Sequence, residues 1–230
     1  MLLRARIVLP VSRPPVGDGF VRIEGNRITE VGAWAECGDR AGVDDLGEVI
    51  LLPGLVNAHC HLDYTDFIGV IPPQRSFTDW IEAIVDLKRD MTPAAHCRSW
   101  INGAAQSLAH GVTTLGNIET VWAHLPDLWR QTPLRFVSYL ELIALKAESS
   151  SADALAEAIE WAKENPPPRG RLGISPHAPY TTKADLLAAC AGLSDWPLAM
   201  HVAESREEQV MFAEATGVLH AKMTGAGRPE

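Results

Sequence analysis

The sequence predicts an α/β fold, a parallel sheet or barrel with crossover helices preceded by a small β-rich unit, and three observations carry that prediction. From Leu51 onward, extended apolar runs alternate with stretches of helical periodicity, the pattern of βαβ units. The first fifty or so residues lack that alternation and read as short strands joined by turn signals. Histidines and a glutamate then sit at the ends of the later apolar runs, where barrels collect their chemistry.

Taken in order, LLRARIVLP reads as extended. GFVRIEGNRITEVG reads as two alternating runs joined by Gly25-Asn26, a hairpin signature. AECGDRAGVDDLGE is polar and rich in Gly and Asp, hence a loop, and EVILLPGLVNAHCH resumes an increasingly apolar course into a buried strand. RSFTDWIEAIVDLKRDM and TPAAHCRSWINGAAQSLAHG have helical periodicity, with Pro93 placed at a helix start and Gly111 at an end. GVTTLGNIE is a strand, VWAHLPDLWR a short helix, LRFVSYLEL a strand, and SADALAEAIEWAKEN an amphipathic helix stopped by Pro166-Pro167-Pro168. RLGISPHAP, TKADLLAACAGL, PLAMHVAES and REEQVMFAEATG continue as strand, helix, strand, helix, and VLHAKMTGAGRPE is left as a short polar tail.

Composition narrows the function. A charged fraction of 21% and a hydrophobic fraction of 47% are those of a globular protein. A formal net charge of −9 without a basic cluster speaks against nucleic acid, and no apolar stretch approaches the length of a membrane span. The N-terminus lacks an uninterrupted apolar h-region with a cleavage site. The four scattered cysteines form no C-x-x-C pair, so a reducing, cytoplasmic setting is expected rather than a disulfide scaffold.

On a strand, His59 and His61 point to one face and Cys60 to the other. Two adjacent imidazoles at a strand end invite a divalent metal such as zinc or iron, for which neutral imidazole is a good ligand. Cys60, facing away, reads as packing. His201 and, three residues on, Glu204 lie at the exit of PLAMHVAES, and His177 ends RLGISPHAP. Alone, each could be a hydrogen-bonded rim residue, and Glu204 a solvated acid opening a charged helix, as Glu207 and Glu208 are read to be. His96, His110, His124 and His220 fall in helical stretches or loops.

The runs PGLVNAHCHLD, GVTTLGNIE, SPHAPYT and MHVAES, in that order, resemble the amidohydrolase superfamily. They are most similar to the branch that includes cytosine, guanine and S-adenosylhomocysteine/methylthioadenosine deaminases and the chlorotriazine hydrolases. The resemblance implies a distorted TIM barrel with a β-sandwich, and one metal, zinc before iron, that activates water for attack on a ring carbon of a small heterocyclic substrate. It implies His59, His61 and His201 as metal ligands, Glu204 as the catalytic proton shuttle and His177 as a substrate contact. The lysine that other branches carbamylate to bridge two metals has no counterpart, which favours a single ion. The resemblance also implies a histidine from a sixth strand and an aspartate from an eighth, and neither has a positional match; His220 is a poor stand-in.

The expectation is therefore an incomplete TIM-like (β/α) barrel of about five of the eight units, with residues 1–52 as the N-terminal β-sandwich portion and residues 53–230 as the N-terminal part of the barrel. The missing C-terminal half or a second copy would complete it, and the isolated chain is expected to bind metal weakly and turn over little. A chlorohydrolase, a cyclic-amide hydrolase and a non-catalytic remnant are the competing readings.

Overall fold

The computed structural model describes residues 1–145 and 150–226. The chain divides into two compact units, Met1–Leu55 and Val56–Glu230. The first is a five-stranded sheet of β1 (Leu2–Val8), β2 (Val16–Glu24), β3 (Arg27–Ala33), β4 (Val43–Asp45) and β5 (Ile50–Leu51), in the order β3-β2-β1-β4 with β5 also on β1. The β2–β3 hairpin turns at Gly25-Asn26 as expected, with Gly25 at φ +59, a conformation that a side chain would oppose. The segment read as a polar loop is not wholly one. Its residues Val43–Asp45 pair in parallel with Leu2–Arg4. That ladder comes from a distant partner strand, which local composition does not reveal.

The second unit opens with β6 (Leu55–Cys60), then α1 (Phe77–Asp90), α2 (Pro93–Ala109), β7 (Val112–Glu119), α3 (Leu125–Arg130), β8 (Arg135–Leu142), α4 (Ser151–Glu164), β9 (Gly170–Pro176), α5 (Ala184–Ala191), α6 (Arg206–Glu214) and α7 (Gly217–Gly225). Its sheet runs β6-β7-β8-β9, and the β7/β8 and β8/β9 ladders are parallel. Helices α1, α2, α4 and α6 begin on side-chain caps. Ser76, Thr92, Ser150 and Ser205 each accept from the backbone amide three residues on. Pro93 opens α2, and Gly111, at φ +81, follows its end. Trp100, Leu115, Phe136, Leu140, Ile174 and Leu186 are buried together as the core between sheet and helices.

Three further expectations are corrected. PLAMHVAES is not a ladder strand: Leu198 makes a single bridge to Ile174, and backbone bonds from Ile174 N to Pro197 O (2.9 Å) and from His201 N to His177 O (2.8 Å) hold the segment beside β9. With a strand on one side only, its Leu198 and Val202 stay exposed. β6, read as buried, is an edge strand whose Leu55 and Val56 are also exposed. The polar tail forms α7 through Gly225, because Leu219 and Met223 bury against Ala178, Tyr180 and Met211. Its last residues, 227–230, lie outside the described residues. Among the described residues no helix is long and apolar enough to cross a membrane.

Gly116 fixes how closely β6 approaches β7. A Cβ there would stand 2.2 Å from the Ala58 carbonyl oxygen. Gly116→Ala is expected to push β6 outward and to destabilise the second unit by about 3 kcal/mol, read as a lowered denaturant midpoint.

Candidate active site

The edge strand β6 delivers its last residues to one end of the sheet. The ring centroids of His59 and His61 lie 5.2 Å apart, on the same face as expected. Cys60 turns the other way and reaches Asn117 Oδ1 at 3.3 Å, and burial pushes its thiol up to about 12, so it stays protonated. The extended segment beside β9 brings His201 to the same place, 4.8 Å from His59 and 5.1 Å from His61 between ring centroids. One nitrogen from each of His59, His61 and His201 falls within 4.8 Å of the others. Tyr64 stacks on the outer face of His61 at 5.0 Å, and Lys88 of α1 donates to the Tyr64 hydroxyl at 2.7 Å.

Burial, and then the neighbouring imidazoles, drive His61 down to about 3, and burial likewise lowers His201. His61 and His201 are thus presented neutral, the form that binds metal. His61 Nδ1 and His201 Nε2 are buried without a hydrogen-bond partner, which a protein interior rarely tolerates unless something else binds them. The donor set fits a divalent ion such as zinc: three imidazole nitrogens converge and leave coordination positions over, as a catalytic rather than a structural site requires.

Glu204 and His177 flank this cluster. Glu204 Oε1 stands 3.4 Å from His201 Nδ1, and Oε2 accepts from the Tyr180 hydroxyl at 3.0 Å. His177 follows the end of β9, its ring 5.1 Å from that of His201 and its Nδ1 2.6 Å from Thr181 Oγ1. All five residues singled out in the sequence therefore meet at one place. Four of them, His61, His177, His201 and Glu204, border a cavity of about 160 Å³ whose apolar wall includes Trp80, Ile84 and Ile143.

Sequence reasoning missed the residues that position them. Glu208 is not solvated; it is buried, and its carboxylate accepts from the amides of Ala203 (3.1 Å) and Glu204 (2.8 Å). Those bonds hold Ala203 at φ +58, which costs a residue with a Cβ roughly 1–2 kcal/mol and aims Glu204. The Ser205-x-x-Glu208 spacing of a capping box was the available signal. Glu207 caps α1 instead, accepting from Phe77 N (3.1 Å), Thr78 N (2.9 Å) and the Thr78 hydroxyl. Glu141, at the end of β8, and Lys88 also line the cavity. An acid ending an apolar strand was a legible hint for Glu141, whereas nothing in the helical pattern marked Lys88.

Residues 50–229 match the model of the amidohydrolase family. The chain belongs to that family. As an amidohydrolase-family chain it is 28% identical over 224 residues to the 5-methylthioadenosine/S-adenosylhomocysteine deaminase of Desulfovibrio desulfuricans, covering 93% of this chain and 49% of that protein. It is 31% identical over 210 residues to the 5'-deoxyadenosine deaminase of Methanothermobacter thermautotrophicus, covering 87% of this chain and 48% of that one. The chain thus spans about half the length of the curated relatives it matches. The zinc complex of the atrazine chlorohydrolase TrzN from Arthrobacter aurescens TC1 superposes with a TM-score of 0.78 at 17% identity, covering 98% of this chain and 57% of that one. The Helicobacter pylori aminofutalosine deaminase superposes with 0.74 at 20% identity, covering 95% and 54%. These two likenesses establish the fold, a partial TIM-like amidohydrolase barrel.

Proposed function

We propose that the protein is a metal-dependent hydrolase that removes an amino group from a nitrogen heterocycle, with His59, His61 and His201 holding one divalent ion, zinc. The observation that carries the reading is the convergence of those three nitrogens with the Glu204 carboxylate 3.4 Å from His201. Deaminases among the relatives and zinc in neighbouring structures support it. When bound, the ion supplies Lewis acidity that lets water ionise near neutral pH. Glu204 takes the proton from that water on its carboxylate and returns it to the departing nitrogen. Tyr180, donating to Oε2, and Glu208, gripping the backbone amides, keep that carboxylate facing the cluster. His177 contacts the ring, and the wall of Trp80, Ile84 and Ile143 packs its faces and excludes water.

Ammonia release from a panel of aminopyrimidines and adenine nucleosides tests the reading. Glu204→Gln is expected to lower kcat by about 100- to 10,000-fold with zinc content unchanged. Chloride release from chlorotriazines without ammonia release from any amine, or full turnover by the Gln variant, would overturn it.

A further inference from the structure

We infer that Glu141, outside the proposed catalytic set, is the acceptor that holds an N–H edge of the ring substrate; this rests on the heterocycle reading above. Glu141 lies between Leu140 and Leu142, which are buried in the core, so alternation along β8 turns its carboxylate to the opposite face and into the cavity. Its side chain is 6% exposed. Among the described residues no group donates a hydrogen bond to it. His177 Nε2 stands 4.0 Å from Glu141 Oε1, too far for a hydrogen bond. Lys88, which also lines the cavity, donates to Tyr64 and makes no ion pair with Glu141. An enclosed carboxylate without donors is expensive unless something that enters supplies them.

What enters is constrained by the neighbours. One atom each from Glu141, His177 and His201 lies within 4.8 Å of the others, so the corner adjoins the three-histidine cluster. A ring amine or ring N–H donating to Glu141 would therefore sit beside the reacting carbon, with the ring against Ile143 and Trp80. The ligand class assigned is an amino-substituted nitrogen heterocycle with at least one N–H to spare for this contact.

Ligand-observed NMR on the zinc-loaded protein, comparing aminopyrimidine with its methyl isostere, tests the inference. The wild type is expected to prefer the amine by about tenfold or more. Glu141→Leu should erase that preference while leaving binding of the isostere and the zinc content unchanged. Glu141→Gln, which matches the glutamate in shape and guards against misfolding of the Leu variant, should reduce the preference severalfold. Amine binding that is equal in the wild type and both variants would overturn the inference. So would a second zinc per chain that disappears with Glu141, which would make the residue a metal ligand. A loss confined to adenosine and absent with adenine would place the contact on the ribose and overturn it as well. A zinc-loaded wild type that binds no ring ligand would instead sink the heterocycle reading, and this inference with it.

Discussion

His201→Ala is expected to lower zinc affinity by at least about 100-fold, leaving the purified protein without metal after dialysis. His201 lies within 4.8 Å of His59 and 5.1 Å of His61 between ring centroids and brings a buried, unpartnered Nε2. Without it, only the two imidazoles at and just after the end of β6 remain, too few to compete with water and buffer. Ligand linkage gives a second readout. Zinc should raise the thermal midpoint of the wild type and leave that of His201→Ala unmoved. His96→Ala, an α2 residue distant in role from the cluster, should keep the metal. Stoichiometric zinc in the His201 variant would remove the basis of the proposed function.

Trp100→Ala is expected to produce the largest loss of stability, about 3–5 kcal/mol by denaturant titration. Trp100 is 2% exposed, packs against Phe136 at 5.1 Å between ring centroids and donates from its indole N–H to Glu119 Oε2 at 3.1 Å. Removing it opens a cavity and deprives a buried carboxyl of a donor. That carboxyl sits in a chain of bonds: Trp129 Nε1 donates to Ser138 Oγ (3.2 Å), which donates to Glu119 Oε1 (2.7 Å). The network ties β7, β8, α2 and α3 together behind the site.

The same carboxyl sets a pH dependence. Burial pushes Glu119 up from an ordinary 4.5 to about 7, against the opposing effect of its hydrogen bonds. Between those two values the unfolded chain has lost the proton and the folded chain keeps it. Stability therefore falls as pH rises through that window, by up to about 1.4 kcal/mol per unit for this group. Asp63, also raised by burial and bonded to Thr120, faces Glu119 and adds a slope of the same sign. Glu119→Gln should remove one group's share of the slope, measured as the difference between unfolding free energies of wild type and variant from pH 4.5 to 7. Parallel pH profiles would show that Glu119 does not titrate in this way.

The period of the hydrophobic pattern is enough to read α1 to α6 of the second unit and three of its four ladder strands as buried or half-buried elements. Proline and glycine at α2 and the triple proline after α4 act through local backbone geometry, so they are visible in one dimension. β4, α7 and the exposure of β6 were not visible. Each depends on a partner far away in the chain: β1 for Val43–Asp45, Ala178 and Met211 for Leu219 and Met223, and the edge position in the sheet for Leu55 and Val56. PLAMHVAES reads as a strand because its apolar course is extended, yet a ladder needs neighbours that composition does not count.

By itself the sequence determined which side chains could do chemistry: the two histidines one residue apart on one strand face, a third histidine three residues before a glutamate, and strand ends as their common address. Strand alternation and the parallel α/β rule suffice for that, because both are local or topological. Only the tertiary structure decided that His201 closes to 4.8 Å from His59, that Glu208 grips the backbone to aim Glu204, and that Glu141 faces the cavity without a donor. Those outcomes come from long-range packing and from the burial of charge, whose energies depend on what stands opposite each group rather than on what precedes it in the chain.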